Sequence, residues 1–202
     1  MKRVIILGQT NAGKTLFTIN FAAYLGVQSI TFTFSDKQRG SYTRTIEIQD
    51  AIELLVSDRA HHTRSIQSAV LQIPWGKAAK RFEILDTAGL SDGIHSDETV
   101  RRGMAYTLAT VREAEIILHV LDSALIAKKN VLHSIGEVDY QVAQFGQLHT
   151  GYAILANKID VPHVKEGLDK ICEEFPGHFV IPISALLKLG FKEVRDFVKR
   201  HI

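Results

Sequence analysis

Eight consecutive residues near the start of the chain indicate its fold: Gly8-Gln9-Thr10-Asn11-Ala12-Gly13-Lys14-Thr15. They match the complete pattern G-x-x-x-x-G-K-[ST], which is typical of phosphate-binding loops. The apolar run Val4–Leu7 precedes the motif as a buried strand would, and Lys14–Leu25 follows it with the spacing of an amphipathic helix. A chance glycine-rich turn seldom has both neighbours, so the sequence predicts a phosphate loop at a helix N-terminus.

Each position in this phosphate loop has a physical reason. Glycines let the backbone curl so that successive N–H groups point at phosphate oxygens, and the helix N-terminus adds positive charge. Lys14 is expected to place its ammonium group on the terminal phosphates, and the hydroxyl of Thr15 is the predicted Mg²⁺ ligand. The other residues expected to surround the nucleotide are Gly8, Gln9, Asn11, Ala12 and Gly13.

The rest of the chain alternates between predicted strands and predicted helices. Strands are expected at Ser29–Phe34, Ile66–Ile73, Arg81–Leu85, Ile116–Leu121, Tyr152–Ala156 and Phe179–Ile183. Helices are expected at Ile46–Val56, Ser96–Arg112, 131–147, His163–Phe175 and Lys188–His201, with a loop at Asp36–Arg44 and a hairpin connection at Trp75–Lys80. This alternation predicts an α/β fold. We expect a three-layer sandwich around a mostly parallel sheet of about six strands with one antiparallel edge strand.

The composition fits one globular domain. The chain has 202 residues, of which 46% are hydrophobic and 23% charged, so it can bury a sizeable core. A formal net charge of +2 is too small to argue for nucleic acid by itself. The single Cys172 excludes an internal disulfide and favours a reducing, cytoplasmic location. No apolar run approaches the ~18–20 residues of a membrane span, so none is expected.

A second motif, Asn157-Lys158-Ile159-Asp160, addresses which nucleotide binds. It follows the predicted strand Tyr152–Ala156 and therefore lies at the carboxyl end of a parallel sheet, where ligands bind. The carboxylate of Asp160 can accept hydrogen bonds from guanine N1–H and the 2-amino group, whereas adenine would leave it unpaired. Lys158 can cover the base and Asn157 can tie neighbouring loops together. The motif predicts a guanine nucleotide.

Two further segments follow predicted strands. Ser184-Ala185-Leu186 would offer a backbone N–H to guanine O6, although taken alone it is equally an ordinary strand-to-helix loop. In Asp86-Thr87-Ala88-Gly89, Asp86 would hold Mg²⁺ through a water and the Gly89 N–H would bond the γ-phosphate. The alternative for that segment is a strand-ending aspartate followed by a turn glycine.

With these motifs in this order, the chain resembles the translation-factor-related class of P-loop GTPases. Within that class it looks most like the Era/TrmE-like group, and the similarity runs from Val4 to about residue 200. The resemblance implies one GTPase domain over residues 1–202 with the P-loop NTPase (Ras-like) fold. It also implies that this domain binds GTP or GDP, uses Mg²⁺ and acts as a molecular switch.

The resemblance also implies a threonine in the first switch region. This group often carries Thr-Thr-Arg before the second strand, where this chain has His62-Thr63-Arg64. Thr63 is therefore the candidate Mg²⁺ ligand, with Thr43 and Thr45 as rivals. Residues 36–62 form a long switch I region, either an insertion that binds a partner or a switch loop without one.

Hydrolysis is expected to be slow without help. Leu90 stands where many small GTPases carry a water-positioning glutamine, and it can neither donate nor accept a hydrogen bond. In relatives activated by potassium, an asparagine at the position of Asn11 ligates K⁺, which implies K⁺-stimulated turnover; the alternative is that Asn11 only satisfies loop backbone groups. The residues expected to act on the γ-phosphate are Lys14, Thr63 and Gly89.

The partners are left open by the sequence. The main hypothesis is a GTPase switch serving RNA or ribosome assembly, and the alternative is a GTP-dependent scaffold that forms homodimers and hydrolyses little. An ATPase would require that Asp160 plays no part. Lys77, Lys80 and Arg81 around Trp75 are either an RNA-facing hairpin with a stacking aromatic or, more commonly, a solvated turn.

Overall fold

The computed structural model describes residues 1–36, 40–55, 67–92, 98–128 and 135–202. Its strands are β1 (Lys2–Leu7), β2 (Ser29–Asp36), β3 (Gly40–Glu47), β4 (Gln67–Trp75), β5 (Ala78–Asp86), β6 (Ile116–Asp122), β7 (Tyr152–Asn157) and β8 (Val180–Pro182). Its helices are α1 (Lys14–Tyr24), α2 (Ile48–Leu55), α3 (Glu98–Val111), α4 (Ser123–Lys128), α5 (Glu137–Gly146), α6 (Lys165–Glu174) and α7 (Phe191–His201).

All eight strands form one sheet in the order β3-β2-β4-β5-β1-β6-β7-β8. The pairs β5–β1, β1–β6, β6–β7 and β7–β8 are parallel, and the pairs on the β2 side of β5 are antiparallel. The predicted α/β fold with a mostly parallel sheet and an antiparallel edge is confirmed. The eight strands exceed the expected number of about six, and β3, at the antiparallel edge, is the strand that the sequence analysis did not predict.

Alternate residues of β1 show why helices cover both faces. Val4 and Ile6 point into one apolar cluster while Ile5 and Leu7 point into the other, because side chains alternate along a strand. The first cluster contains the buried residues of α1, α2 and α7, and the second those of α3, α4, α5 and α6. All four β1 side chains are at most 1% exposed, so this strand is the centre of the core.

Aromatic packing fixes the helix that carries the phosphate loop. Phe17 and Phe21 of α1 stack on each other with ring centroids 5.3 Å apart, and the ring of Phe191 packs edge-on against both. Phe191 is the first residue of α7. Such pairs stabilise by about 0.5–1.5 kcal/mol beyond the area they bury, so α1 is held firmly against α7.

The expected loop at Asp36–Arg44 is wrong, because residues Gly40–Glu47 form β3 and pair with β2. Thr45 lies opposite Thr31, and their hydroxyl oxygens are 2.8 Å apart. Ile46 is 5% exposed, but the described side chains on either side of it are exposed. A polar edge strand has a weak hydrophobic alternation, and this weakness hid it in the sequence.

Part of the region expected to be switch I packs on the core. Helix α2 occupies residues expected to be helical, its Ala51 is fully buried, and Ile48 and Ile52 pack against the first apolar cluster. The predicted extent of a long switch I region at residues 36–62, within one domain over 1–202, stays a prediction because residues 56–66 lie outside the described part.

Two other boundaries differ from the sequence analysis. The connection expected at Trp75–Lys80 is a two-residue turn, with Trp75 and Ala78 still paired across the hairpin and Gly76 at φ 61°. The helix expected at 131–147 is represented by α5 from Glu137 on, preceded by the unpredicted α4 directly after β6. Among the described helices, none has the length and apolar character needed to cross a membrane.

Candidate functional site

Loops after five strands meet at one edge of the sheet. Strands β1, β5, β6, β7 and β8 run in the same direction, so their carboxyl ends lie side by side. In parallel α/β sheets this edge is where ligands bind. The structure therefore brings together the phosphate loop, the segment after Asp86, the segment after Asn157 and the segment after Ile183.

The phosphate loop needs glycine at its two ends. Gly8 has φ 139°, and a Cβ there would lie 2.2 Å from the carbonyl oxygen of Val120. Gly13 has φ 100°, and a Cβ there would lie 2.3 Å from Asn157 Nδ2. Gly13 also occupies the N-cap of α1 without a side-chain cap, so the leading amides of α1 are directed at this loop.

Lys14 is buried and lies against its own loop. Its Nζ donates to the carbonyl oxygens of Gly8 at 3.1 Å and Gln9 at 2.8 Å. Burial lowers the pKa of Lys14 to about 8, although the charges of Asp86 and Asp139 raise it. The charge of this buried ammonium group is only partly compensated by protein groups, so binding of an anion beside it is favourable.

Thr15 and Asp86 form the second charged part of the site. The Thr15 hydroxyl donates to Asp86 Oδ2 at 2.7 Å, and Asp86 is fully buried. Burial raises the pKa of Asp86 to about 6, opposed by the Thr15 hydrogen bond and the charge of Lys14. Asp86 Oδ1 has no hydrogen-bond partner among the described residues. A hydroxyl and a buried carboxylate with an unpaired oxygen fit a hard divalent cation such as Mg²⁺.

The segment after Asp86 is joined to the phosphate loop by backbone hydrogen bonds. Leu90 N donates to Gly8 O at 3.1 Å, and Thr10 N donates to Leu90 O at 3.3 Å. Gly89 lies so close to Thr10 that a Cβ would be 2.5 Å from the threonine Oγ1. The side chain of Leu90 is 1% exposed and packs in the second apolar cluster, so it cannot orient a water molecule.

Asn157 connects three loops through one buried side chain. Its Nδ2 donates to Ala12 O at 2.7 Å, and its Oδ1 accepts from Ala185 N at 2.9 Å. Ala185 O in turn accepts from Nδ2 of Asn20 on α1 at 2.8 Å. Ser184 is buried, and its Oγ accepts from Leu187 N at 2.9 Å. The phosphate loop and both expected base-binding segments therefore have fixed relative positions.

The groups expected to contact the base remain accessible. Asp160 is half-buried, and the structure records no hydrogen bond from its carboxylate to another described residue. Lys158 is fixed by an ion pair with Asp122, Nζ to Oδ2 2.5 Å. Ala185 N is already bonded to Asn157, whereas the Leu186 N–H has no recorded partner among the described residues.

Some expected ligands are placed elsewhere or lie outside the described residues. Thr63 lies outside them, as do His62 and Arg64. Thr43 and Thr45 lie on β3, three strands from β5, and at about 4.8 Å per strand they are roughly 14 Å from the strand of Asp86. Asn11 has φ 63° and an exposed side chain at the phosphate loop, with no recorded hydrogen bond to another described residue.

Three residues at this edge were missed by the sequence analysis. Asp122 pairs with Lys158, Asn20 supports Ala185, and Asp139 accepts a hydrogen bond from Gln9 Nε2 at 2.6 Å. Asp122 carries a recognisable signal, since it ends a buried strand at the ligand-binding edge. Asn20 and Asp139 lie in ordinary helical sequence, and only the three-dimensional structure shows their partners.

Comparisons with known proteins agree with this geometry. The chain is 29% identical to GTPase Obg from Desulfitobacterium hafniense (strain DSM 10664 / DCB-2) over 116 residues, which is 56% of this chain and 27% of that protein. Among solved structures it resembles Era from Aquifex aeolicus bound to GDP and AlF4⁻, with TM-score 0.68, 23% identity, and coverage of 100% of this chain and 57% of that chain. Era in complex with MgGDPNP and nucleotides 1506–1542 of 16S ribosomal RNA gives TM-score 0.67 and 23% identity, covering 99% of this chain and 56% of that one.

The chain spans less than a third of the length of the Obg proteins that it matches. A family described as 50S ribosome-binding GTPase matches residues 3–158, which include two of the four motifs that carried the resemblance and the start of the third. The match ends at Lys158, within the base-binding motif, and Ser184 lies beyond it. The predicted resemblance to small P-loop GTPases of the translation-related class is confirmed. The chain belongs to the 50S ribosome-binding GTPase family.

Proposed function

We propose that the chain binds GTP and hydrolyses it to GDP and phosphate with Mg²⁺, as a molecular switch in the cytoplasm. The observation that carries this proposal is the buried amide of Asn157, which bonds the phosphate loop at Ala12 and the base-binding loop at Ala185. One side chain thereby sets the distance between the two ends of a bound nucleotide. Family membership and the intact motifs support the same function.

The guanine preference rests on two groups at the end of the sheet. The carboxylate of Asp160 accepts two hydrogen bonds from the guanine edge, and the Leu186 N–H donates to O6. Adenine reverses the donor and acceptor pattern and leaves both groups unpaired, which in such sites reduces binding by on the order of 10⁴-fold. Lys158, fixed by Asp122, lays its methylene stem along the base.

The phosphates lie over the leading amides of α1. The Lys14 ammonium keeps its bonds to the Gly8 and Gln9 carbonyls and donates its third N–H to a phosphate oxygen, and the Gly89 N–H binds the γ-phosphate. Thr15 and Thr63 would ligate Mg²⁺, Asp86 would hold it through a water, and a bound Mg²⁺ would supply positive charge to the phosphates. Binding the γ-phosphate through Gly89 requires the segment up to Leu90 to shift from the phosphate loop, which makes this segment the switch.

Potassium is the proposed source of additional catalysis. Leu90 is buried and apolar, so neither its side chain nor its position orients water. Asn11 has its side chain exposed beside the phosphate loop and no recorded bond to described residues, which favours a ligand role over support of the loop backbone. A K⁺ ion held there adds positive charge near the phosphates as an arginine finger would.

The second candidate function is a GTP-dependent scaffold that dimerises and hydrolyses little. The burial of Leu90 favours it unless K⁺ or a partner completes the site. For the partner, the family description and the rRNA complex of the Era neighbour support a ribosomal RNA or ribosome. Trp75 does not support stacking on RNA, because the ammonium groups of Lys80 and Lys199 lie 3.6 and 5.5 Å from its ring centroid.

Isothermal titration calorimetry with Mg²⁺ and GDP, a non-hydrolysable GTP analogue, or the matching adenine nucleotides tests the proposal. We expect guanine nucleotides to bind at least 10³-fold more tightly than adenine nucleotides. Equal binding of both purines, or binding of neither, would contradict it. Turnover measured against protein concentration then separates the two candidate functions, since a dimerising enzyme gains specific activity as concentration rises.

A further inference from the structure

Four polar side chains, three of them buried and Gln9 half-buried, connect the phosphate loop to the sheet and to α5. Gln9 Nε2 donates to Asp139 Oδ2 at 2.6 Å, and Asp139 Oδ1 lies 3.0 Å from His119 Nε2. His119 Nδ1 lies 2.9 Å from the hydroxyl oxygen of Tyr152. The exposed fractions of Asp139, His119 and Tyr152 are 3%, 0% and 7%, so the network is inside the protein.

The direction of these hydrogen bonds follows from their chemistry. Burial and the charge of Asp139 hold the pKa of Tyr152 far above its usual range, so its phenol stays protonated and donates to His119 Nδ1. His119 then donates from Nε2 to the carboxylate of Asp139, which also accepts from Gln9. Both carboxylate oxygens are thereby used. A buried charge with two donors holds its position closely, because losing either bond leaves a costly unpaired group.

Gln9 passes this constraint to Lys14. Its side chain turns away from the loop toward Asp139, while its carbonyl oxygen accepts from Lys14 Nζ at 2.8 Å and from Ala12 N at 3.3 Å. The backbone at Gln9 therefore fixes the ammonium group that is expected to contact the terminal phosphates. Asp139, on another helix, determines where that backbone lies.

The N-terminal end of α5 also contacts the segment that follows Asp86-Thr87-Ala88-Gly89. Asp92 Oδ1 accepts from Val138 N at 2.8 Å, in the first turn of a helix whose own N-cap, Gly136, has no side chain to cap it. A Cβ at Gly136 would lie 2.1 Å from Gln9 Nε2 and 2.6 Å from Asp92 Oδ2. Both side chains thus need the space beside this glycine.

We propose that Asp139 is a positioning residue for the phosphate loop, acting through Gln9 on Lys14, and that the glycine-capped end of α5 couples this loop to Asp92. This inference rests on the proposed function. It predicts that loosening the contact speeds nucleotide release without removing any group that touches the nucleotide. Asp92 lies two residues after Leu90 in the sequence. A shift of Gly89 toward the γ-phosphate would therefore change the hydrogen bond between Asp92 and α5.

The test measures the release rate of a fluorescent GDP analogue from the full chain by stopped-flow displacement. Asp139→Asn replaces one acceptor oxygen by a donor that faces Gln9 or His119, and we expect release to quicken about tenfold, which corresponds to about 1.4 kcal/mol. Gly136→Ala leaves the Asp139–His119 pair intact and suits the backbone, since Gly136 has φ −75°. Its methyl displaces Gln9 Nε2, so we expect faster release by about threefold, a partial version of the same loss.

Tyr152→Phe is the matched control, because it removes the hydrogen bond at the far end of the same buried network. It lowers thermal stability without nucleotide, but the release rate should stay within about twofold of wild type. In a double-mutant cycle, Gln9→Ala combined with Asp139→Asn should release no faster than the faster single variant, because Asp139 acts through Gln9.

Three outcomes would overturn the inference. Wild-type release by both folded Asp139→Asn and Gly136→Ala would show that α5 does not position the loop. Equal acceleration in Tyr152→Phe and Asp139→Asn would assign the network a role in stability alone. A wild-type chain that holds no guanine nucleotide would overturn the proposed function and this inference together, so the two failures are distinguishable.

Discussion

The two halves of the nucleotide site differ in how their polar groups are satisfied. In the base half, Asn157 makes two buried hydrogen bonds and Lys158 pairs with Asp122. In the phosphate half, Lys14 and Asp86 are both buried charges with shifted pKa values, and Asp86 has an unpaired oxygen. The buried amide and the lysine of the base half are paired within the protein, whereas the buried charges of the phosphate half lack the partners that a ligand would supply.

This difference separates two ways of building a binding site. The base half is preorganised, so it discriminates between bases through groups that already hold their positions. The phosphate half stores an electrostatic cost in the free protein that an anion and a cation relieve on binding. We therefore expect substitutions in the base half to change base specificity and the stability of the fold. Substitutions that remove a buried charge from the phosphate half should raise the stability of the nucleotide-free protein and weaken ligand binding.

The largest expected effect is a change of base specificity at Asp160. Asp160→Asn replaces two acceptors by one acceptor and one donor, and should lower GDP affinity by about 10³–10⁴-fold, since buried unpaired groups give large discrimination. Xanthine carries an oxygen in place of the 2-amino group, so the variant should gain affinity for xanthosine diphosphate. Calorimetry with both nucleotides measures the exchange. An unchanged preference for GDP would mean that the base lies elsewhere.

Asn157→Ala should have the second largest effect, because it breaks the connection between the halves. Ala12 O and Ala185 N each lose a buried partner, at about 1–3 kcal/mol per unsatisfied group. Thermal unfolding and GDP release rates measure the loss. Asn20→Ala is the matched control, since it removes only the single bond to Ala185 O. Equal losses of stability and GDP affinity in both variants would show that Asn157 is not what connects the phosphate half to the base half.

Asp86→Asn tests the phosphate half through the pH dependence of the protein's stability. Burial raises the pKa of Asp86 from 3.8 to about 6, so the folded state keeps a proton that the unfolded state has lost. The nucleotide-free protein should therefore lose stability as the pH rises from about 4 to about 6, by up to about 3 kcal/mol. The variant lacks this loss and should unfold at a higher temperature than wild type at pH 7.

The order of stability should reverse when Mg²⁺ and GDP are added, because the variant has lost a metal ligand. Denaturation followed by circular dichroism across pH, with and without the ligands, measures both effects. Asp160→Asn serves as the control for the nucleotide-free measurement, since it changes a half-exposed carboxylate of the base half. A fall in stability between pH 4 and 6 that persists in Asp86→Asn would assign it to another group.

The smallest expected effect concerns the cation at Asn11. Replacing NaCl by KCl should raise turnover on the order of tenfold, about 1.4 kcal/mol of transition-state stabilisation, and leave GDP affinity within about twofold. Asn11→Ala should remove the difference between the salts. Single-turnover hydrolysis in both salts measures it. Equal rates in KCl and NaCl for the wild-type chain would remove potassium from the mechanism.

Local sequence predicts much of this site because its chemistry is local. The loop from Gly8 to Thr15 contains its own glycines, cation and hydroxyl, and the segment that ends at Asp160 contains its own amide, cation and carboxylate. The strands that carry them are continuous apolar runs, so their order and burial could be expected from the sequence. These local features are sufficient to predict the fold and the family from the sequence.

The parts that sequence reasoning missed depend on distant partners or on weak patterns. Gln9 meets Asp139 across most of the chain, and nothing near either residue marks the contact. Strand β3 is a polar edge strand, where exposure on both faces removes the alternation that identifies strands. Thr63 was inferred from a family pattern that this chain matches only in part, and it stays a prediction because it lies outside the described residues.

The contact between Gly13 and Asn157 has a consequence for engineering and for divergence. The amide of Asn157 fills the volume that any side chain on residue 13 would occupy. A designer who moves the first third of this chain onto another scaffold must therefore bring a partner for that bare backbone, or leave a hole beside the helix. Because residues 13 and 157, far apart in the sequence, share one small volume, a workable replacement at either site requires a compensating change at the other.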